Sequence, residues 1–310
     1  MKKISDVRPR CPICDSTKSK EFAKAQDVEY HTMPNVFTFL VCDCGVVYLE
    51  NPPIDKLKLI YPANYYSYVR RNGFVAKVKR SLDKRTFQNS SRFQMSDSLS
   101  LLDIGGGDGV EASTAIEADS RITHAVIVDL DESARERAEL NGHSFVCSRI
   151  ENFETEELFD LILALNLIEH VMSPREVLMK AYDLLNFGGS LLLKTPNIDS
   201  LDCRIFKNNN WGGLHTPRHW VLFTKDTLTL LLKECGFQSV EVRYTQGGPF
   251  WTIGIISYIK KLNSKLIKND QVITETAVFK TLMPILALAD LVRSKLGFKT
   301  SQMFVIARKI

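Results

Sequence analysis

The chain has 310 residues, a length that suits one large domain or two smaller ones. Hydrophobic residues make up 45% of it and charged residues 25%, which excludes a disordered or low-complexity chain. The net charge of +4 is too small to indicate a nucleic-acid partner by itself. The first residues, MKKISDVRPR, lack the apolar region of a signal peptide, and no apolar run is long enough to cross a bilayer. We therefore expect a cytoplasmic protein.

Residues 1–60 form the first predicted unit, and its main feature is two cysteine pairs. The pairs read CPIC and CDCG and supply Cys11, Cys14, Cys42 and Cys44. Four thiolates in two close pairs are a usual ligand set for a zinc ion. Such a site is structural, because four protein ligands complete the tetrahedron and leave no position for a substrate. Free cysteines or a disulfide are the alternatives. The spacing predicts a zinc-binding module over residues 1–60.

Residues 61–97 follow this module, and their amino-acid composition changes along the segment. The segment YPANYYSYVRRNGF is rich in tyrosine, and the residues after it are basic and then polar. Two interpretations stay open for this region: a lid over the substrate, or a linker packed between two domains.

Residues 98–248 alternate strand and helix patterns. The predicted strands read SLLDIG, HAVIVDL, SFVC, FDLILALN, SLLLKTP and SVEVRYT, and a last strand, MFVIARK, lies within residues 303–310. Helical patterns such as VEASTAIEA separate them. Seven strands with crossover helices predict an α/β fold with a doubly wound sheet and a ligand at the carboxyl ends of its strands.

The stretch LLDIGGGDG suits a ligand that approaches the backbone closely. It is not the dinucleotide fingerprint, because Val110 stands where the third glycine would be, and it has no P-loop lysine. The next strand ends in Asp129, whose carboxylate offers two acceptor oxygens for the two hydroxyls of a ribose.

With the segments FDLILALNLIEHV and LLNFGGSLLLKTPN in the same order, the sequence resembles class I S-adenosylmethionine-dependent methyltransferases over residues 98–248 and again at the last strand. The resemblance implies a seven-stranded Rossmann-like sheet of order 3-2-1-4-5-7-6 with the seventh strand antiparallel. It also implies S-adenosylmethionine as cofactor. The residues implied to bind it are Asp103, Gly105, Gly106 and Gly107 at the methionine part, Asp129 and Leu130 at the ribose, Ile150, Glu151 and Asn152 at the adenine, and Asn166 at the sulfonium.

The cysteine pairs, with VVYLENPP after them, resemble the N-terminal zinc segment of sugar C-methyltransferases. The segment HWVLFT resembles the loop that carries the base in those enzymes and in ubiquinone-pathway O-methyltransferases, which implies His219 as the base. His215 in the same loop and His170 in LIEHV are the other catalytic candidates. Arg218 stands where the sugar enzymes have an acid, and an arginine there suits an anionic group of the substrate.

Residues 249–302 are predicted as a helical insertion before the last strand. Its apolar stripes lie near Lys260, Lys261, Lys265 and Lys268. Three interpretations stay open: packing over the sheet, a homodimer face, or peripheral contact with the inner surface of a membrane.

The sequence as a whole predicts a methyltransferase that acts on a small molecule, with a hydroxyl of a sugar or glycan intermediate as the acceptor. An anionic substrate, such as a nucleotide-linked or phosphorylated sugar, is expected. One alternative is a nucleic-acid methyltransferase with the zinc module as reader. However, the Asn-Pro-Pro-Tyr motif of amino-methylating enzymes is replaced by Asn166-Leu167-Ile168-Glu169, so no nucleic acid is expected. The other alternative is a protein that binds the cofactor without catalysis.

Overall fold

The structure is a computed structural model that describes residues 9–62, 65, 74–91, 94, 96–262 and 272–310, with the side chains of 74–91 described from residue 80 onward. The strands are β1 (Ser19–Gln26), β2 (Val36–Cys42), β3 (Val47–Leu49), β4 (Leu99–Ile104), β5 (Ile122–Asp129), β6 (Ser144–Cys147), β7 (Phe159–Leu165), β8 (Leu185–Pro196), β9 (Val221–Leu222), β10 (Ser239–Thr245) and β11 (Gln302–Arg308). The α-helices are α1 (Leu57–Ile60), α2 (Phe74–Ser91), α3 (Val110–Ala118), α4 (Arg135–Leu140), α5 (Pro174–Asp183), α6 (Leu201–Phe206), α7 (Lys225–Glu234), α8 (Gly248–Leu262) and α9 (Ala277–Lys295).

Seven strands form one large sheet in the order β6-β5-β4-β7-β8-β11-β10. When these seven strands are numbered by their order in the chain, the sheet order is 3-2-1-4-5-7-6. The predicted order is therefore confirmed. The strands from β4 to β8 pair in parallel, and β11 runs antiparallel to both β8 and β10. The central strands are almost wholly apolar because both faces of a parallel sheet are covered.

Helices cover the two faces of this sheet and bury its side chains in two clusters. On one face, Ala112 and Ala115 of α3 pack with Leu101 and Ile127. On the other face, α5 and α7 pack against the alternate residues of the same strands, among them Leu102. The carboxyl ends of β4, β5 and β7 therefore meet at one edge between two helical layers, which is where such folds bind ligands.

A second, antiparallel sheet of four strands has the order β1-β2-β3-β9. Its first three strands come from the cysteine segment, but β9 belongs to the HWVLFT loop that follows the sheet strand β8. Val47 lies opposite Leu222, and the N–H of Leu49 donates to the carbonyl of Trp220. The predicted N-terminal module thus shares a sheet with the loop that carries His219, a link that the sequence analysis did not anticipate.

The helical insertion consists of α8 and α9, which pack against each other. A Cβ on Gly248 would come within 2.7 Å of Ala287, so the two helices approach closely there. Lys265, Lys268 and a large part of the predicted lid (residues 63, 64 and 66–73) lie outside the described residues. Among the helices that the structure describes, none has the length and apolar character needed to cross a membrane.

Candidate active site

The carboxyl end of β4 leads into the glycine turn. Gly105, Gly107 and Gly109 have φ angles of 72°, 53° and 74°, a backbone region that favours glycine. A Cβ on Gly107 would meet no atom within 4 Å, so the backbone here borders open space. The turn therefore offers a ligand direct access to the main chain.

Asp103, at the end of β4, is the buried carboxyl of this turn. Its Oδ2 atom has no hydrogen-bond partner among the described residues. A Cβ on Gly106 would come within 2.5 Å of this carboxyl, so only glycine allows the turn to pass so close. Burial, with Glu111 and Asp129 nearby, raises the pKa of Asp103 well above its usual range. A cationic ligand group, such as an amino group, would satisfy this oxygen and favour its charged form.

Asp129 ends β5, the neighbouring strand, and its carboxylate is held in place from both sides. Its Oδ2 accepts a hydrogen bond from the N–H of Gly107 at 2.9 Å, and its Oδ1 accepts one from the N–H of Asp131 at 2.8 Å. Each carboxylate oxygen keeps a further lone pair. The side chain is thus fixed in orientation and can still accept from a diol.

The other residues predicted to bind the cofactor follow neighbouring strands at the same edge. Asn166 comes directly after β7 in a left-handed conformation, and its Oδ1 accepts from Gln302 Nε2 at 3.1 Å. Leu130, directly after β5, is exposed. After β6, a short 3-10 helix carries buried Ile150, half-buried Glu151 and exposed Asn152.

The three histidines predicted as catalytic lie together. His170 ends a short 3-10 helix just after β7, and His215 and His219 lie in the buried loop of residues 211–220. The ring centroid of His170 is 4.6 Å from that of His219 and 6.3 Å from that of His215, and the His215 and His219 centroids are 4.9 Å apart. Because β7 and β4 are parallel neighbours, this cluster lies at the same sheet edge as the glycine turn.

Hydrogen bonds fix the same tautomer in all three rings. The Nδ1 atoms of His170 and His219 lie 3.0 Å and 2.8 Å from backbone carbonyl oxygens. The Nδ1 of His215 lies 2.7 Å from Glu29 Oε1. Since carbonyl and carboxylate oxygens only accept, each Nδ1 carries a proton, and in a neutral ring the Nε2 then keeps a lone pair. The neutral rings of the cluster therefore present proton acceptors.

Burial keeps two of these rings neutral and their neighbour Glu169 protonated. Burial and the nearby His215 lower the pKa of His170 to about 3, and burial and His170 lower the pKa of His219 well below its usual range. Burial also raises the pKa of Glu169 to about 8. A proton on His219 and a negative charge on Glu169 would stabilise each other, because the two groups share a low-dielectric space.

Glu169 is a site residue that the sequence analysis did not single out. Its Oε2 accepts from the hydroxyl of Thr195 at 2.9 Å, whereas Oε1 has no hydrogen-bond partner among the described residues and lies 3.9 Å from His219 Nε2. Ligand atoms of Glu169, His170 and His219 lie within 4.8 Å of one another. This trio has the donor types and the spacing to hold a divalent cation.

The expectation that Arg218 binds an anionic substrate group is wrong in this structure. Its side chain is fully buried and forms an ion pair with Asp27, with Nη2 3.0 Å from Oδ2. It also donates to the backbone carbonyls of Ile60 and Thr216. Its donors are therefore committed to the protein, and it joins the N-terminal module to the histidine loop.

Three further residues complete the cluster and come from the N-terminal 65 residues. Glu29 lies beside His215, as described above. The hydroxyl of Tyr61 lies 3.0 Å from His170 Nδ1, and that of Tyr65 lies 3.1 Å from His215 Nε2. The richness of the segment in tyrosine was visible in the sequence, but nothing local indicated that Glu29 would reach a histidine.

The four predicted zinc ligands also converge. The Sγ atoms of Cys11 and Cys44 are 3.7 Å apart, those of Cys14 and Cys42 are 3.5 Å apart, and all four lie within 4.8 Å of one another. A tetrahedron with Zn–S bonds of about 2.3 Å has S···S edges of about 3.8 Å. Burial raises the pKa of the Cys11 thiol to about 11, so a cation would be needed to hold it as a thiolate. The residues fit a structural zinc ion.

The chain is similar to known methyltransferases. The profile of a family described as "Methyltransferase domain" matches residues 70–242, more than half of the chain. The chain belongs to this family. Its sheet order, glycine turn and Asp129 are those of a class I S-adenosylmethionine-dependent methyltransferase, and the orphaned Asp103 carboxyl suits the amino group of that cofactor.

The methyltransferase also has a curated relative, the mitochondrial ubiquinone biosynthesis O-methyltransferase of Candida albicans. The two are 28% identical over 131 residues, which cover 39% of this chain and 40% of the relative. The match thus spans less than half of the relative's length.

Solved structures of methyltransferases are also similar to this chain. The N-methyltransferase NodS from Bradyrhizobium japonicum, solved with S-adenosyl-L-homocysteine, has a TM-score of 0.46 and 15% identity, with 81% of this chain and 94% of NodS covered. The plantazolicin methyltransferase BpumL, also solved with that product, has a TM-score of 0.47 and 14% identity, with 75% and 84% covered.

Proposed function

We propose that this methyltransferase transfers the methyl group of S-adenosylmethionine to a hydroxyl oxygen of a small molecule, and that this molecule is a nucleotide-linked or phosphorylated sugar or another glycan intermediate. The name of the curated relative, an O-methyltransferase, supports oxygen as the acceptor atom. The sugar rests on the resemblance of the cysteine segment and of the HWVLFT loop to sugar C-methyltransferases. Arg218 is already paired with Asp27, so an anionic group of the substrate would bind elsewhere.

The observation that carries the proposal is the pair of imidazoles, His170 and His219, whose lowered pKa values keep Nε2 unprotonated at the sheet edge of the glycine turn. When bound, S-adenosylmethionine would supply an electrophilic methyl group, and S-adenosylhomocysteine would be the leaving group. A sugar hydroxyl is a poor nucleophile until its proton is removed, so an aligned base lowers the barrier. We assign this role to His219, whose Nε2 faces the carboxyl of Glu169.

Glu169 would then tune the base rather than touch the substrate. In the resting site both groups are neutral, because burial lowers the pKa of His219 and raises that of Glu169. When His219 takes the substrate proton, a Glu169 that has released its own proton to solvent would compensate the charge. His170 is the second candidate for the base, favoured by one observation: it is the only one of the three clustered imidazoles that is partly exposed.

We also propose that Cys11, Cys14, Cys42 and Cys44 hold one structural zinc ion. The distances between their sulfur atoms support a tetrahedral site, and no ligand position is left for substrate. The ion would stabilise the four-stranded sheet, and through β9 the loop that carries the histidines.

Methyl transfer from labelled S-adenosylmethionine tests the proposal directly. Purified protein would be incubated with nucleotide sugars, with sugar phosphates, with phenols and with fractions of cell extract treated or untreated with nuclease. We expect label in the sugar fractions and no effect of nuclease. Label in phenols alone would transfer the assignment to an aromatic acceptor, and label lost on nuclease treatment would favour a nucleic-acid substrate. Cofactor binding without transfer to any fraction would favour a non-catalytic protein.

A further inference from the structure

His143 is a buried histidine that lies beside the glycine turn, outside the catalytic cluster. It follows α4 and directly precedes β6. Its Nε2 atom is 2.7 Å from the hydroxyl oxygen of Ser113, the fourth residue of α3. Its Nδ1 atom has no hydrogen-bond partner in the part of the chain that the structure describes. A buried imidazole with only one bonded nitrogen is an exception among buried polar side chains and needs an explanation.

The ring of His143 also packs against the backbone of Gly109, the residue from which α3 begins. A Cβ on Gly109 would come within 2.4 Å of the ring carbon Cδ2, so only glycine allows this contact. The N–H of Ser113 donates to the carbonyl of Gly109 at 2.9 Å, which is a hydrogen bond of the first helical turn. His143 therefore contacts both ends of the first turn of α3.

The glycine turn is held from two sides. Asn141, which caps α4, donates from Nδ2 to the carbonyl of Asp108 at 2.9 Å. Together with the ring of His143 against Gly109, this contact fixes two consecutive residues of the turn from the segment after α4. From the neighbouring strand β5, Asp129 accepts the N–H of Gly107. A displacement of the segment after α4 would therefore displace the turn relative to β5.

We propose that His143 is a positioning residue for S-adenosylmethionine: it fixes the start of α3, and with it the glycine turn, where the main chain meets the cofactor. The assignment rests on the proposed function, because it takes this cofactor as the ligand of the turn. His143 acts through Gly109 and Ser113. A displacement of about 1 Å in a positioned site can cost about 100-fold in function, so the loss of these contacts lowers cofactor affinity.

Calorimetric titration of S-adenosylmethionine into the full-length protein tests the proposal. Burial lowers the pKa of His143, so its ring is neutral and a neutral amide is a suitable replacement. Glutamine places its amide near the position of Nε2, whereas asparagine places it near Nδ1, which is the unbonded nitrogen. We expect His143→Asn to weaken binding by about tenfold or more, and His143→Gln to stay within about twofold of the unmodified protein.

Ser113→Ala removes the same hydrogen bond from the other side. This variant keeps α3 intact, because alanine favours helices, and it should weaken binding by about threefold or more. The double variant with His143→Asn should bind no more weakly than His143→Asn alone, since both changes remove one shared interaction. Circular dichroism would show that each variant is at least about nine-tenths folded, in which case unfolding changes the apparent affinity by only about 1.1-fold.

His124→Asn is the matched control, because His124 is a half-buried histidine of the same sheet that pairs with Glu157 near the amino end of β5. It should leave the affinity unchanged. The proposal is overturned if His143→Asn binds as tightly as the unmodified protein, if His143→Gln or His124→Asn loses as much as His143→Asn, or if the losses of His143→Asn and Ser113→Ala add in full. If the unmodified protein binds no S-adenosylmethionine, the proposed function itself fails, and positioning by His143 fails with it.

Discussion

Glu29 and His215 are 186 positions apart in the chain, and their side chains meet at 2.7 Å inside the protein. Both are buried. The contact makes the N-terminal module part of the candidate active site, since the Glu29 carboxylate holds Nδ1–H of His215 and leaves Nε2 facing the hydroxyl of Tyr65. Two residues before Glu29, Asp27 makes the second such connection by its ion pair with Arg218.

The Asp27–Arg218 pair leads to the first prediction. Asp27→Ala would leave the Arg218 charge buried without its partner, so we expect the free energy of unfolding to fall by about 3–5 kcal/mol, as urea denaturation would measure. The control is Glu21→Ala in the same module, which removes the exposed ion pair with Lys24 and should cost less than about 1 kcal/mol. Equal losses for the two variants would contradict a structural role of the buried pair.

The second prediction concerns metal. Elemental analysis of protein purified without chelator should give one zinc per chain, and Cys11→Ser with Cys14→Ser should remove it. Because metal binding in such modules is coupled to folding, the N-terminal segment of that variant should become sensitive to proteases. Cys147→Ser is the control, since that exposed cysteine lies on β6 and away from the cluster. An intact, protease-resistant N-terminus without metal would exclude a structural zinc.

Much of the fold was predictable from local sequence. The segments SFVC and SVEVRYT predicted β6 and β10 with the bounds found in the structure, because short apolar or alternating runs between turns are typical of strands. The sheet order followed from the resemblance and is confirmed. The glycine-rich turn and the segments FDLILALNLIEHV and LLNFGGSLLLKTPN, in this order, also indicated the methyltransferase family.

The contacts that build the candidate site were less predictable. The role of Arg218 was predicted wrongly because its partner Asp27 lies 191 positions away, and no periodicity in the sequence links the two. The strand β9 has only two residues, too few for a pattern, and it exists because β3 offers it an edge. Nothing in the sequence distinguishes Glu169 from an exposed glutamate. Its pKa is raised because its side chain is completely buried in the fold.

The third prediction tests the cofactor pocket. Asp129→Ala should weaken S-adenosylmethionine binding by about 1.5–3 kcal/mol, the contribution of hydrogen bonds to a charged acceptor, as calorimetry would measure. Glu132→Ala removes a neighbouring exposed acid that pairs with Arg135, and it should leave the affinity nearly unchanged. Unchanged affinity in folded Asp129→Ala would remove this residue from the ribose site.

The fourth prediction follows from the buried carboxyl of Glu169. Its pKa is raised from 4.5 to about 8, so between these values the folded protein binds more protons than the unfolded chain. The contribution of Glu169 to stability is therefore complete below about pH 4.5 and is lost as the pH rises towards 8. Urea denaturation at several pH values should show a weaker decline between pH 5 and 8 for Glu169→Gln, which keeps the shape but cannot ionise. An identical slope would show that the carboxyl does not titrate in this window.

The fifth prediction separates the candidate bases. Positioned general base catalysis contributes about 10²–10⁴-fold, so His219→Ala should lower turnover by that factor and leave cofactor affinity nearly unchanged. His170→Ala and His215→Ala are the matched variants, because each removes one neighbouring imidazole of the same cluster. If His170→Ala loses turnover while His219→Ala keeps it, the base is His170, whose ring is partly exposed. If all three variants stay active, no imidazole removes the proton, and the acceptor must be an already acidic group such as a phenol.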